Sequence, residues 1–201
     1  MVLFTIWEIA QIAITVVVVG FIFSSHIRKP RTELEDFISN NLWDDIKYAA
    51  IAAAPAVVLH ELMHKFVAIS YGFSAHYVAS WWGLAIGAIL KIVGSRFIFF
   101  LPGYVSIQGL GTALQFGLTA LAGPLTNLVI GFFFLGVTTF SAGMIQTIFL
   151  IGSQINFYLG FFNMLPLFVL DGKKVFDWNK GIWAITFVVL LLLSFGLPYF
   201  F

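Results

Sequence analysis

The sequence predicts a mainly α-helical, polytopic membrane protein of about five to six transmembrane helices, with a small membrane-associated β element between the second and third spans. Three observations predict it. Of 201 residues, 61% are hydrophobic and only 9% charged, far from the half-apolar, quarter-charged balance of a soluble domain. Apolar stretches of roughly 20 residues, enough to cross a hydrocarbon core of about 30 Å as a helix, recur along the chain. Between two of them lies a segment too interrupted to span, containing a run rich in aromatic and β-branched residues.

Hydropathy places the spans at about 2–23, 46–71, 112–140, 143–166 and 181–201. The first, Val2 to Phe23, lacks a basic leader and a small-residue cleavage site and exceeds a signal-peptide core, so it is expected to be retained. Residues 24–45 carry Arg28, Lys29, Arg31, Glu33, Glu35, Asp36, Asp44 and Asp45, a charged connector with a short surface helix expected around 32–42. In 74–111, the apolar run Trp81 to Val93 is too short for an ordinary span and is broken by Gly83 and Gly87, which suits a re-entrant or interfacial element. Phe97 to Gln108 reads as a small hairpin turning at Pro102-Gly103. Irregular backbone at that depth needs protein or a wet cavity to satisfy its hydrogen bonds. The chain divides into a first helix with connector (1–45), a core (46–172) and a charged loop with a C-terminal helix (173–201), together one membrane domain.

Composition also excludes function classes. Net charge is +1 and the ten basic residues are dispersed, so nucleic acid is not an expected partner. There is no cysteine, so any metal must be held by histidine, carboxylate or other oxygen groups. Trp7, Trp43, Trp81, Trp82, Trp178 and Trp183 fall mostly near proposed interfaces and are expected to form an aromatic belt.

Within the second span stands His60-Glu61-Leu62-Met63-His64. Two histidines at i and i+4 share a helix face and can bind one zinc, while Glu61 projects beside them, where it can take a proton from water activated at the metal. An ionisable residue in the membrane costs about 2.5–3.5 kcal/mol on insertion scales, so Glu61 needs a purpose or a partner. A catalytic zinc keeps three protein ligands and one open position. Asp171 is the best candidate for the third. It follows the fourth span, after Pro166, which should break the helix, and before Gly172, which permits a tight backbone. If the spans alternate in direction, Asp171 returns to the half of the membrane that holds His60 and His64.

Three motifs together resemble the site-2 protease family of intramembrane zinc metalloproteases. They are His60 to His64; Gly123-Pro124-Leu125-Thr126-Asn127, similar to the family's Gly-Pro-x-x-Asn; and Asn163 to Gly172, similar to Asn-x-x-Pro-x-x-x-Leu-Asp-Gly. They cover about 46 to 172, with matching order and spacing. The resemblance implies one zinc on His60, His64 and Asp171, Glu61 as general base and later acid, and Asn163 as a hydrogen-bond donor to substrate or oxyanion. It implies an edge strand in Phe97–Gln108 that captures an extended substrate by backbone pairing. The implied activity is peptide-bond hydrolysis in transmembrane proteins, that is, regulated intramembrane proteolysis. Two departures, Met63 in place of a small residue and Lys173-Lys174 in place of glycine, bear on pocket shape and not on metal binding.

Other polar residues have blander readings. His26 and His76 lie near span ends and are left out of the metal set. Glu8 and Gln11 either line a water route or join helices by hydrogen bonds. Asn127 is read as a packing residue beside Gly123 and Pro124. Basic residues exceed on the face bearing Lys91, Arg96, Lys173, Lys174 and Lys180, which points to that face as cytoplasmic and to a site nearer the cytosol of a multi-pass cell-membrane protein. Competing functions are a metal or ion permease and an inactive zinc-stabilised scaffold; the lack of an internal repeat argues against the first and Glu61 against the second.

Overall fold

The computed structural model describes residues 3–25, 27, 42–95 and 101–196. It is mainly helical, in the order α1 (Ile6–Phe23), α2 (Leu42–Ser70), β1 (Ser74–Ala79), α3 (Trp81–Ile92), β2 (Gly103–Gln108), α4 (Ala113–Thr139), α5 (Gly143–Asn163), α6 (Asp171–Trp178) and α7 (Lys180–Gly196). Four of these, α1, α2, α4 and α5, are long and apolar enough to cross a membrane. Helix α7, 17 residues long, covers most of the segment expected as a fifth span. The surface helix expected around 32–42 and the strand-like residues 97–100 lie outside the described residues.

Lipid as solvent explains the outward faces. Ile9, Val17, Val129, Phe132 and Phe133 are exposed on span-length helices, an arrangement that costs nothing where the surroundings are as apolar as the side chains. Inward faces instead carry small residues. A Cβ on Gly20 would come within 2.7 Å of the Ile46 carbonyl, so glycine is what lets α1 lie against α2. Gly131 in α4 abuts Phe157 in α5, and Ser153 Oγ donates to the Gly131 carbonyl at 2.9 Å.

The β element sits between the second and third long helices, as the sequence suggested, but its partner strand differs. Gly103–Gln108 pairs antiparallel with Ser74–Ala79, in the register Tyr77 opposite Val105, across the intervening helix α3. The Ser80 N–H donates to the Pro102 carbonyl at 3.0 Å, and the chain at Leu101 packs so closely on Gly83 that a Cβ there would strike its carbonyl. Among the described residues, Pro102-Gly103 leads into β2, whose partner is β1. An isolated two-stranded ribbon is marginal; here Tyr77 and Ala79 are buried with Val19 of α1 and Ala53 of α2.

The tryptophan belt is divided. Trp7, Trp43, Trp81 and Trp82 are exposed. Trp178 and Trp183 instead pack against the cluster of Leu121, Phe157, Val175 and Leu190, and Trp183 Nε1 donates to the Met164 carbonyl at 2.8 Å.

Candidate metal centre

Helix α2 projects His60 and His64 from one face, one turn apart, with their Nε2 atoms 3.0 Å from each other. Asp171, the first residue of α6, places Oδ2 3.1 Å from His60 Nε2 and 3.0 Å from His64 Nε2. All three residues are buried. The delivery of Asp171 follows from the chain before it. Helix α5 stops at Asn163, ahead of Pro166, whose missing N–H and ring forbid its continuation. Phe168 then adopts φ 40°, the left-handed region that side chains seldom occupy. Gly172 packs on the Met164 carbonyl, where a Cβ would collide.

Hydrogen bonds fix the state of both imidazoles. His64 Nδ1–H donates to the Thr119 carbonyl at 2.7 Å, since a carbonyl only accepts. His60 Nδ1–H donates to Asn127 Oδ1 at 2.6 Å. The Asn127 amide is oriented by its own donations from Nδ2, to the Ala56 carbonyl at 2.8 Å and to Asn156 Oδ1 at 3.2 Å. With each proton on Nδ1, the neutral rings that a metal requires would present bare Nε2 lone pairs, and three acceptor atoms would then converge on one point. A cation reconciles them. Tetrahedral zinc with bonds of about 2.0–2.2 Å sets its donors roughly 3.3 Å apart, and these three stand within 3.1 Å of one another. The donor set fits zinc. Gly123 completes the cradle, because a Cβ there would fall on both Nε2 atoms.

Metal binding at these three residues requires Asp171 as the carboxylate anion and both imidazoles neutral, so it is coupled to loss of protons from the site.

A cavity of about 500 Å³ opens beside these residues and is lined by Glu61, His64, Asn163, Asp171 and Lys174 together with Gly103, Val105 and Ile107 of β2. Strand β2 can present backbone groups to this cavity because of the ladder's phase. The N–H groups of Tyr77 and Ala79 donate outward to Glu8 Oε1 and Gln11 Oε1, both at 2.8 Å, so the Tyr77–Val105 and Ala79–Gly103 pairs do not bond each other. Gly103, Val105 and Ile107 consequently direct their backbone groups away from β1, on the edge that lines the cavity.

The chain was compared with known proteins. No protein-family model and no solved structure matches it. A protein of Methanocaldococcus jannaschii named "Putative zinc metalloprotease MJ0611" is 39% identical over 183 residues, which cover 89% of this chain and 88% of that protein. The chain belongs to this zinc metalloprotease family. With nearly the whole length of both chains aligned, the relationship takes in the helical scaffold as well as the short motifs.

Within this family member, the residues singled out in sequence separate cleanly. His60, His64 and Asp171 form a group of potential metal ligands, and Glu61 and Asn163 share their cavity. The Asn163 side chain donates from Nδ2 to the Leu159 carbonyl of its own helix at 3.1 Å. His76 is exposed, 3.9 Å from Glu8 Oε2 and outside the group; His26 lies outside the described residues. Asn127 is more than a packing residue, because it hydrogen-bonds His60 directly. Glu8 joins two helices, since its carboxylate pairs with buried Lys65 of α2, and both Glu8 and Gln11 also bond the outer edge of β1. Asn156 and the Thr119 carbonyl went unmarked in sequence. For Asn156 a signal existed, an amide in the middle of an apolar helix; a backbone carbonyl leaves none.

Proposed function

We propose that the chain is an intramembrane zinc metalloendopeptidase that hydrolyses peptide bonds of transmembrane proteins. The observation that carries this reading is the meeting of His60 Nε2, His64 Nε2 and Asp171 Oδ2 on a cavity that also holds Glu61 and the open edge of β2. The zinc named for its relative suits this donor set.

Zinc held there supplies Lewis acidity, lowering the pKa of a water toward about 7 and polarising a carbonyl. The chain's own residues do the rest. The Glu61 carboxylate takes a proton from the attacking water; as the water oxygen bonds the carbonyl carbon and the C–N bond breaks, the same proton passes to the leaving nitrogen. A helical substrate hides its carbonyls in i to i−4 bonds and must unwind to be attacked. The outward N–H and C=O groups of Gly103 and Ile107 offer it replacement bonds as an added strand. Asn163, which lines the same cavity, is assigned a donation from its amide to the substrate carbonyl. The four span-length helices support a multi-pass placement, and the small excess of basic residues on the face of Lys91, Lys173, Lys174 and Lys180 supports a site nearer the cytoplasm.

The test is metal content and cleavage measured together on reconstituted protein with a transmembrane substrate. Glu61→Gln should keep zinc and lose roughly 10²–10⁴-fold in rate, while Asp171→Ala should lose both. Full cleavage by Glu61→Gln overturns the mechanism; zinc flux across the vesicle that is indifferent to Glu61→Gln would mark a permease instead.

A further inference from the structure

Two lysines follow Asp171-Gly172, and the structure gives them different surroundings. Lys173 Nζ bonds Asp177 Oδ1 at 2.7 Å, one turn along α6, and does not line the cavity. Lys174 does. Its nearest acid is Asp171 Oδ1 at 4.0 Å, beyond hydrogen-bond reach, and the other oxygen of that carboxylate is engaged by both histidines. The Lys174 side chain remains 55% exposed, and a solvated pair at that distance holds its partners weakly.

We propose that Lys174 is a specificity-determining residue that binds an acidic side chain of the substrate peptide near the scissile bond, an inference that rests on the protease reading above. Among the described residues, Lys174 is the one lysine or arginine lining the cavity. The lining also includes Leu101, Ile107, Phe116, Val169 and Leu170, and a peptide seated against these would shield the ammonium from solvent and strengthen an ion pair formed beneath it. A peptide added to β2 turns alternate side chains to one side, so a carboxylate at one position of the bound strand can reach the ammonium. The backbone groups of the open strand edge favour a peptide as the source of that carboxylate over a lipid phosphate.

The test uses full-length protein in vesicles of neutral lipid and a series of transmembrane substrates carrying Glu or Gln at successive positions around the cleavage point. Wild type should favour Glu over Gln by about tenfold in kcat/KM at one position, the effect of one modest ion pair. Lys174→Met should erase that ratio and Lys174→Glu should invert it toward Lys-containing substrates, with zinc content unchanged. Equilibrium binding of the same peptides to Glu61→Gln protein, which needs no turnover, should show the same ratio. No acidic preference at any position, or one that survives Lys174→Met, overturns the proposal while leaving the protease reading intact. Loss of both peptides' binding on adding phosphatidylglycerol, in wild type but not in Lys174→Met, would assign Lys174 to lipid phosphate and overturn it as well. Absence of cleavage by wild type counts against the protease reading; the binding ratio then still decides the role of Lys174.

Discussion

The backbone N–H of Tyr77 donates to Glu8 Oε1 at 2.8 Å, joining β1 to a helix 69 residues earlier in the chain. With Gln11 bonding Ala79 in the same way, α1 closes one edge of the two-stranded sheet. An unpaired strand edge is a template for another chain, and among the described residues that property is left to β2, on the side of the metal ligands.

Glu8 also holds Lys65, with both side chains nearly inaccessible at 4% and 1%. Removing one member of a buried pair leaves the other charge uncompensated, at about 3–5 kcal/mol, whereas replacing both by apolar groups is often neutral. Glu8→Ala should therefore destabilise strongly, and adding Lys65→Met should recover the part due to the stranded charge but not the part due to the lost bond to the Tyr77 N–H. Unfolding titrations in detergent, arranged as a double-mutant cycle, check this; additive losses would show the pair to be uncoupled.

Asn127→Ala deprives His60 of the acceptor that keeps its proton on Nδ1. Loss of such a partner lowers metal affinity or activity by about 10–100-fold. Competition with a zinc chelator should find that drop in Asn127→Ala and a smaller one in Asn127→Asp, which retains an acceptor. Equal affinities in all three proteins would mean that α2 alone orients the ring.

Gly123→Ala introduces a methyl group onto both ligand nitrogens. Zinc content should fall further than in Asn127→Ala, beyond roughly 100-fold in affinity, with helical circular dichroism unchanged. Normal zinc content would require α4 to shift away from α2.

Ile107 directs its N–H to the cavity side of β2, so a proline there removes a donor from the open edge and none from the ladder to β1. Ile107→Pro should raise KM for a transmembrane substrate several-fold while zinc content stays the same. An unchanged KM would show that substrate does not pair with this strand.

Much of this was legible in the sequence because it depends on residues close together in the chain. Helix boundaries follow apolar length, Pro166 and the spacing of turn residues; the four-residue interval from His60 to His64 puts two imidazoles on one face without any help from the rest of the fold. Asp171 was found by counting spans, which fixes the half of the membrane but not a distance. The pairing of 103–108 with 74–79 was missed because Pro102-Gly103 is an equally good local signal for a hairpin, and nothing local says that a strand's partner lies beyond a helix. Asn127 was read as packing because its partner is 67 residues away.

By itself, then, the sequence determined the solvent, through composition, and two of the metal's ligands, through helical periodicity. Tertiary structure alone decided that a carboxylate 111 residues distant arrives at 3.1 Å from His60, that both imidazoles keep their protons on Nδ1, and which strand edge stays open. The reason is one of range: backbone periodicity acts within a turn or two, whereas hydrogen-bond direction and ligand spacing are set by helices packing across the whole domain.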